Sequence, residues 1–311
     1  MTTSAARSGL TGLLVTIGIA RSSIALAAEH SLSFASSTSK KPIPAKLLKP
    51  DGNGPFPGVV ILHDCSGLGS RSSSSPMRWA QDLVSQGYVV VLPDSFTPRG
   101  FPNRVCTLPR SVSHVANVYA RVGDAYGALA ALRRLPYVDG RCVALMGSSH
   151  RGITTLAAMV APTPRDNEMA AAKRDGFTSA VALYPNCVLH YGDWSTRQQA
   201  DRRGPVVAHS GVYRPTAPLL ILIGAKDDWT PAEPCRELVE TERAAGYPLD
   251  IPIYPGAYHE FDSDEPVRYN DKRPNDNALS GHGATTGGDA AAWADARAKV
   301  AAYFAQQLKS K

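Results

Sequence analysis

Apolar residues along this chain fall in short unbroken runs separated by stretches of helical period. The runs are residues 58–63 (GVVILH), 88–93 (YVVVLP), 141–146 (RCVALM), 179–184 (SAVALY), 218–223 (PLLILI) and 249–254. Runs that do not alternate with polar residues mark strands covered on both faces. Between them lie helical patterns. Residues 76–86 carry Trp79 and Leu83 one turn apart, and residues 112–135 line up Val115, Val118, Val122, Ala125 and Leu129. Residues 153–160, 232–245 and 289–308 complete the set. Repeated strand–helix alternation predicts an α/β fold built on a mostly parallel sheet. There is no internal repeat and no linker-like break between residues 43 and 308, so residues 43–311 are read as one domain. Residues 28–42, rich in Ser, Thr and Lys, are expected to form a flexible lead-in. Residues 186–217 and 262–288 lack periodicity and are expected to be irregular, as lids and binding loops are.

Composition narrows the function classes. The chain of 311 residues is 43 % hydrophobic and 19 % charged, with a formal net charge of +6. Its basic residues are scattered singly or in pairs, such as Lys40-Lys41, Arg133-Arg134 and Arg202-Arg203. No basic face interleaved with aromatics emerges, so no nucleic-acid partner is expected. Arg7, the apolar run 9–20 and the Ala25-Leu26-Ala27 site have the layout of a signal peptide over residues 1–27. The protein is therefore expected to be exported, periplasmic or secreted. The apolar run is too short for a stable membrane anchor. Five cysteines are present and none forms a C-x-x-C pair, which argues against a zinc or thioredoxin-type site.

Chemistry concentrates after four of the predicted strands. The run 141–146 leads into Gly147-Ser148-Ser149-His150-Arg151-Gly152 and then a helix. A sharp strand-to-helix turn carrying serine pushes its Oγ above the sheet edge and requires small neighbours. Ser149 is preferred to Ser148 because Gly147 then lies two residues before the nucleophile. Arg151, two residues after, is expected to crowd the turn. The run 218–223 leads into Asp227 and Asp228. Asp227 is chosen as the carboxylate that orients a histidine, with Asp228 as its rival or as a helix cap. His259 follows the last strand in Tyr258-His259-Glu260-Phe261 and is placed to reach over the sheet edge as a base. The order Ser149, Asp227, His259 is the order of α/β-hydrolases. After the first strong strand, His63-Asp64-Cys65-Ser66-Gly67 can aim a backbone N–H at a carbonyl oxygen. The N–H groups of Cys65 and His150 are assigned to the oxyanion hole.

With these residues in view, the chain resembles the dienelactone hydrolase family of α/β-hydrolases, in an exported branch with a serine nucleophile. The likeness runs from about Leu47 to Phe304. It includes Pro55-Phe56-Pro57-Gly58-Val59-Val60, Asp94-Ser95-Phe96-Thr97-Pro98-Arg99-Gly100, Ala144-Leu145-Met146-Gly147, Tyr184-Pro185, Asp227-Asp228-Trp229-Thr230-Pro231 and His259-Glu260-Phe261-Asp262. The resemblance implies an α/β-hydrolase fold with helices on both faces of the sheet. It implies Ser149 as nucleophile, Asp227 as acid and His259 as base, with no metal or organic cofactor. Type members carry Cys at the nucleophile position, and the serine-bearing branch, with its G-W-S-H-G-G elbow, carries Trp where Ser148 stands. A small-molecule ester or lactone is therefore expected, rather than dienelactone itself. Asp64, Arg99, Arg104 and Trp229 are candidate substrate contacts, the arginines for a substrate carboxylate. The implied fold brings Cys65, Cys106, Cys187 and Cys235 to the active-site edge. There it favours pairs Cys65–Cys106 and Cys187–Cys235, with Cys142 reduced in the core. Alternatives on the same fold are a non-catalytic binding protein, suggested by Arg151, and a peptidase or acyltransferase.

Overall fold

In the computed structural model, residues 1, 29–70, 72–102, 105–106, 108, 118–162, 169–198 and 204–309 are described. The expected signal peptide lies outside them apart from Met1, as does Arg104. The strands are β1 (Glu29–Ala35), β2 (Pro42–Leu48), β3 (Phe56–Leu62), β4 (Val89–Pro93), β5 (Val138–Ser148), β6 (Ser179–Leu183), β7 (Ser195–Gln198), β8 (Val206–Ser210), β9 (Leu219–Gly224), β10 (Leu249–Asp250), β11 (Ile253–Tyr254), β12 (Arg268–Pro274) and β13 (His282–Thr286). The helices are α1 (Ser75–Ser85), α2 (Val118–Leu132), α3 (His150–Met159), α4 (Ala170–Arg174), α5 (Ala232–Ala244) and α6 (Ala290–Leu308).

The main sheet runs β1-β2-β4-β3-β5-β6-β9-β10, and β11 also pairs with β9. Every pair from β4 onward in that order is parallel. Only β1–β2 and β2–β4 are antiparallel. All residues of β4, β6 and β9 are buried, so helices and loops cover the sheet on both sides. The unbroken apolar runs of the sequence have this cause. Trp79 of α1 meets Trp293 of α6 edge-on at 4.5 Å, and Tyr126 of α2 donates to the Ala158 carbonyl of α3. Because β3, β5, β6, β9 and β11 are parallel, their carboxyl ends open onto one edge. His63, Ser149, Asp227 and His259 follow four of those ends.

Three expectations need correction. Residues 29–35 are not a flexible lead-in but an edge strand in register with β2, from Glu29 opposite Leu48 to Ala35 opposite Pro42. An edge strand needs few apolar residues, and here Phe34 alone is fully buried. The run 249–254 is two short strands rather than one, split around Pro252, whose missing N–H cannot join a ladder. The segments 186–217 and 262–288 each contain an antiparallel hairpin, β7–β8 and β12–β13, made largely of polar residues.

Candidate active site

The elbow between β5 and α3 holds Ser149 at φ 56°, ψ −126°, a left-handed backbone costly for a residue with a Cβ. Its N–H is tied to the Leu183 carbonyl at 2.9 Å. The turn is tight enough to exclude side chains at two places. A Cβ on Gly147 would come within 2.6 Å of the Arg151 carbonyl, and one on Gly152 within 2.8 Å of the Pro185 Cβ. The second small residue the elbow needs is therefore Gly152, three after the serine. Arg151 does not crowd the elbow as expected, because its side chain leaves in another direction and is fully buried.

His259 spans the gap between serine and carboxylate. Its Nε2 lies 2.8 Å from Ser149 Oγ and its Nδ1 2.7 Å from Asp227 Oδ2. Asp227 is itself held, its Oδ1 accepting from the N–H groups of Trp229 (3.0 Å) and Thr230 (2.8 Å). Its rival Asp228 is turned away and binds Thr285 through N–H and hydroxyl, each at 2.7 Å. Burial lowers the His259 pKa, but the charge and hydrogen bond of Asp227 prevail and leave it above the ordinary histidine value.

Sequence reasoning assigned no role to two residues that shape this site. The Thr230 hydroxyl sits 2.8 Å from Asp227 Oδ2, 2.9 Å from His259 Nδ1 and 3.1 Å from the Tyr184 carbonyl. The Asp-x-x-Thr spacing at the start of α5 is the signal that points to it. Asp262 is buried and accepts from Ser75 Oγ (2.6 Å), Trp79 Nε1 (2.8 Å) and the Tyr184 hydroxyl (2.6 Å). These bonds pin the loop that carries His259 onto α1 and β6.

Ser149 opens onto a cleft of about 190 Å³ whose walls include Cys65, His150, Ile153, Leu108 and Trp229. Cys65 and His150, the expected oxyanion donors, therefore both face the space beside the serine. Trp229 packs its ring 4.9 Å from that of His259 and lines the same cleft. Asp64 and Arg99 do not line it, and Arg104 lies outside the described residues. Arg99 is bound bidentately to Asp124 at 2.8 and 3.0 Å, and both side chains are buried. A salt bridge to a residue of α2, distant in sequence, already satisfies it. The Asp64 carboxylate turns inward, accepting from the Ser66 N–H at 2.6 Å and from the Ser73 hydroxyl. Burial raises its pKa against those bonds.

A serine on a strand–turn–helix elbow, facing histidine and aspartate from later loops of a mostly parallel sheet, defines the α/β-hydrolase class. The dienelactone hydrolase family model matches residues 43–308, and the chain belongs to that family. It is by that membership a carboxylic-ester hydrolase. A Yersinia pestis protein named as a carboxymethylenebutenolidase is 26 % identical over 225 residues, covering 71 % of this chain and 75 % of that protein. An Escherichia coli K12 protein of the same name is 26 % identical over 223 residues, covering 71 % and 74 %. Among solved structures, a dienelactone hydrolase-like promiscuous phosphotriesterase from metagenomic libraries superposes with a TM-score of 0.61 at 17 % identity. It covers 91 % of this chain and 99 % of its own. A thermophilic esterase from Thermogutta terrifontis with propionate bound gives 0.58 at 15 % identity, covering 90 % and 94 %. At such identities the shared feature is the fold.

Proposed function

We propose that the protein hydrolyses small carboxylic esters or lactones through an acyl-enzyme on Ser149. The observation that carries this reading is the unbroken chain from Ser149 Oγ through His259 to Asp227, with links of 2.8 and 2.7 Å. His259 Nε2 takes the hydroxyl proton as Oγ attacks the carbonyl carbon. Asp227 holds the imidazole by Nδ1–H and balances its positive charge. The tetrahedral oxyanion is received by the N–H groups of Cys65 and His150. His259 then hands its proton to the leaving alkoxide, and the alcohol departs. A water activated by the same imidazole adds to the acyl-enzyme and frees Ser149. The cleft suits a short acyl group or a small ring. Propionate in the Thermogutta esterase is an acid of that size.

The test is turnover of p-nitrophenyl esters by the wild type and by Ser149→Ala. The wild type should favour acetate and butyrate over long-chain esters and should incorporate a fluorophosphonate at Ser149. The variant should lose about 10⁴-fold or more in kcat and take up no label. Undiminished turnover in Ser149→Ala overturns the reading.

A further inference from the structure

Beneath the oxyanion turn lies a set of buried polar groups that the proton-transfer chain does not use. Arg151 and His63 are fully buried there. The Ser95 N–H donates to His63 Nε2 at 3.1 Å. The His63 Nδ1 lies 3.2 Å from the Asp64 carbonyl. Arg151 Nη2 donates to the same carbonyl and lies against His63 Nδ1. The Asp64 carbonyl thus accepts from Arg151 Nη2 and, at 3.3 Å, from the Gly67 N–H of its own turn. Its carboxylate, meanwhile, is spent on Ser66 and Ser73.

The peptide that carries this carbonyl is the one that carries the Cys65 N–H. A trans peptide is planar, and its C=O and N–H point in opposite directions. Holding the oxygen down toward Arg151 turns the N–H up toward the cleft that Cys65 lines. Arg151 has no carboxylate partner among the described residues, and its Nε and Nη1 meet no protein acceptor. A guanidinium buried on those terms is a net cost to folding. Its guanidinium also stacks at 5.3 Å over Phe96, which fixes the side chain's direction.

We infer that Arg151 is a positioning residue for the oxyanion hole: it grips the Asp64 carbonyl and so aims the Cys65 N–H at the substrate oxygen. The inference rests on the serine mechanism proposed above. It adds a part to that mechanism, carried by the residue that departs from the small-residue pattern of the elbow.

Arg151→Met keeps the bulk of the stem and removes the donors, and Arg151→Lys keeps one donor. Rates are expressed per site titrated with a fluorophosphonate, so an unfolded fraction does not enter. Arg151→Met should lower kcat about 10- to 100-fold, less than the loss of a whole donor, while KM and the acid limb of the pH profile stay in place. An aryl trifluoromethyl ketone forms a hemiketal oxyanion on Ser149, and its affinity should fall by the same factor as kcat. Arg151→Lys should lose less, with the same proportion between kcat and ketone affinity. Wild-type kcat and ketone affinity in Arg151→Met overturn the inference, as does a fall in kcat without a fall in ketone affinity. If Arg151→Met yields no titratable sites, the proportion in Arg151→Lys decides. Failure of the underlying mechanism looks different: the wild type itself would take up neither the fluorophosphonate nor the ketone at Ser149.

Discussion

In the proposed mechanism His259 is neutral when it accepts the serine proton and charged once it has done so, and two opposed effects set the balance. Burial disfavours the imidazolium, and the Asp227 carboxylate at 2.7 Å favours it. Glu260 adds to the second effect and Arg273 to the first. The net result is a pKa above the ordinary value of 6.5. The acid limb of kcat/KM should therefore lie above pH 6.5, because the protonated enzyme cannot accept the proton. Asp227→Asn removes the raising partner and leaves burial, so the limb should move down while turnover falls about 10⁴-fold. A pH–rate profile of both proteins checks this, and a wild-type limb at or below 6.5 would refute it. Stability carries the opposite sign. The His259–Asp227 ion pair stabilises the fold fully below the unfolded value of about 6.5, and this contribution is lost as pH rises through the folded one. The pair thus holds the fold most firmly in the acid range, where the enzyme is least active.

At the scale of elements, the elbow converts a local constraint into a catalytic one. Its left-handed serine persists because β5, β6 and α3 close around it, and Gly152 sits where the helix meets the end of β6. A methyl group there would press on Pro185 and on the Leu183 carbonyl, which also receives the Ser149 N–H. Gly152→Ala should therefore cost about 1–3 kcal/mol in chemical denaturation and lower kcat as well. A neutral effect on both would show that the helix can move aside. Contacts of this kind explain what the sequence did and did not reveal. Strands β3, β4, β5, β6 and β9 were legible because burial on both faces writes itself as unbroken apolar runs. The three groups bridged at His259 were legible because each follows such a run. Strand β1 and the two hairpins were not, since edge and surface strands need little apolar surface and their partners are chosen by the rest of the fold. Arg151 was misread for a related reason. The spacing of the motif fixes which backbone is crowded, but the direction of a long side chain depends on His63 and Phe96, both far away in sequence.

Across the whole molecule, two disulfides lie on the catalytic edge, Cys65–Cys106 and Cys187–Cys235, while Cys142 is buried within β5 and joins neither. Both are the pairs expected from the fold, and disulfides at these positions suit an oxidising compartment. They close loops of similar length, 41 and 48 residues apart in sequence. Chain entropy alone gives each about 4 kcal/mol of stabilisation. Their places differ, however. Cys187 and Cys235 are fully buried and join the segment after β6 to α5, and neither lines the substrate cleft. Cys65 and Cys106 form part of the cleft wall, and the Cys65 carbonyl also holds the Val105 N–H at 2.7 Å. Replacing either pair by alanine should therefore lower stability by a comparable amount, about 4 kcal/mol in denaturant titrations. Only loss of Cys65–Cys106 should also lower kcat per titrated site, because the residue it frees is the one whose N–H is proposed to receive the oxyanion. Equal kcat in the two double variants would mean that the oxyanion turn keeps its shape without the covalent tie. The hydrogen bonds of the turn itself, from Arg151 and the Gly67 N–H to the Asp64 carbonyl and from the Val105 N–H to the Cys65 carbonyl, would then suffice to hold it.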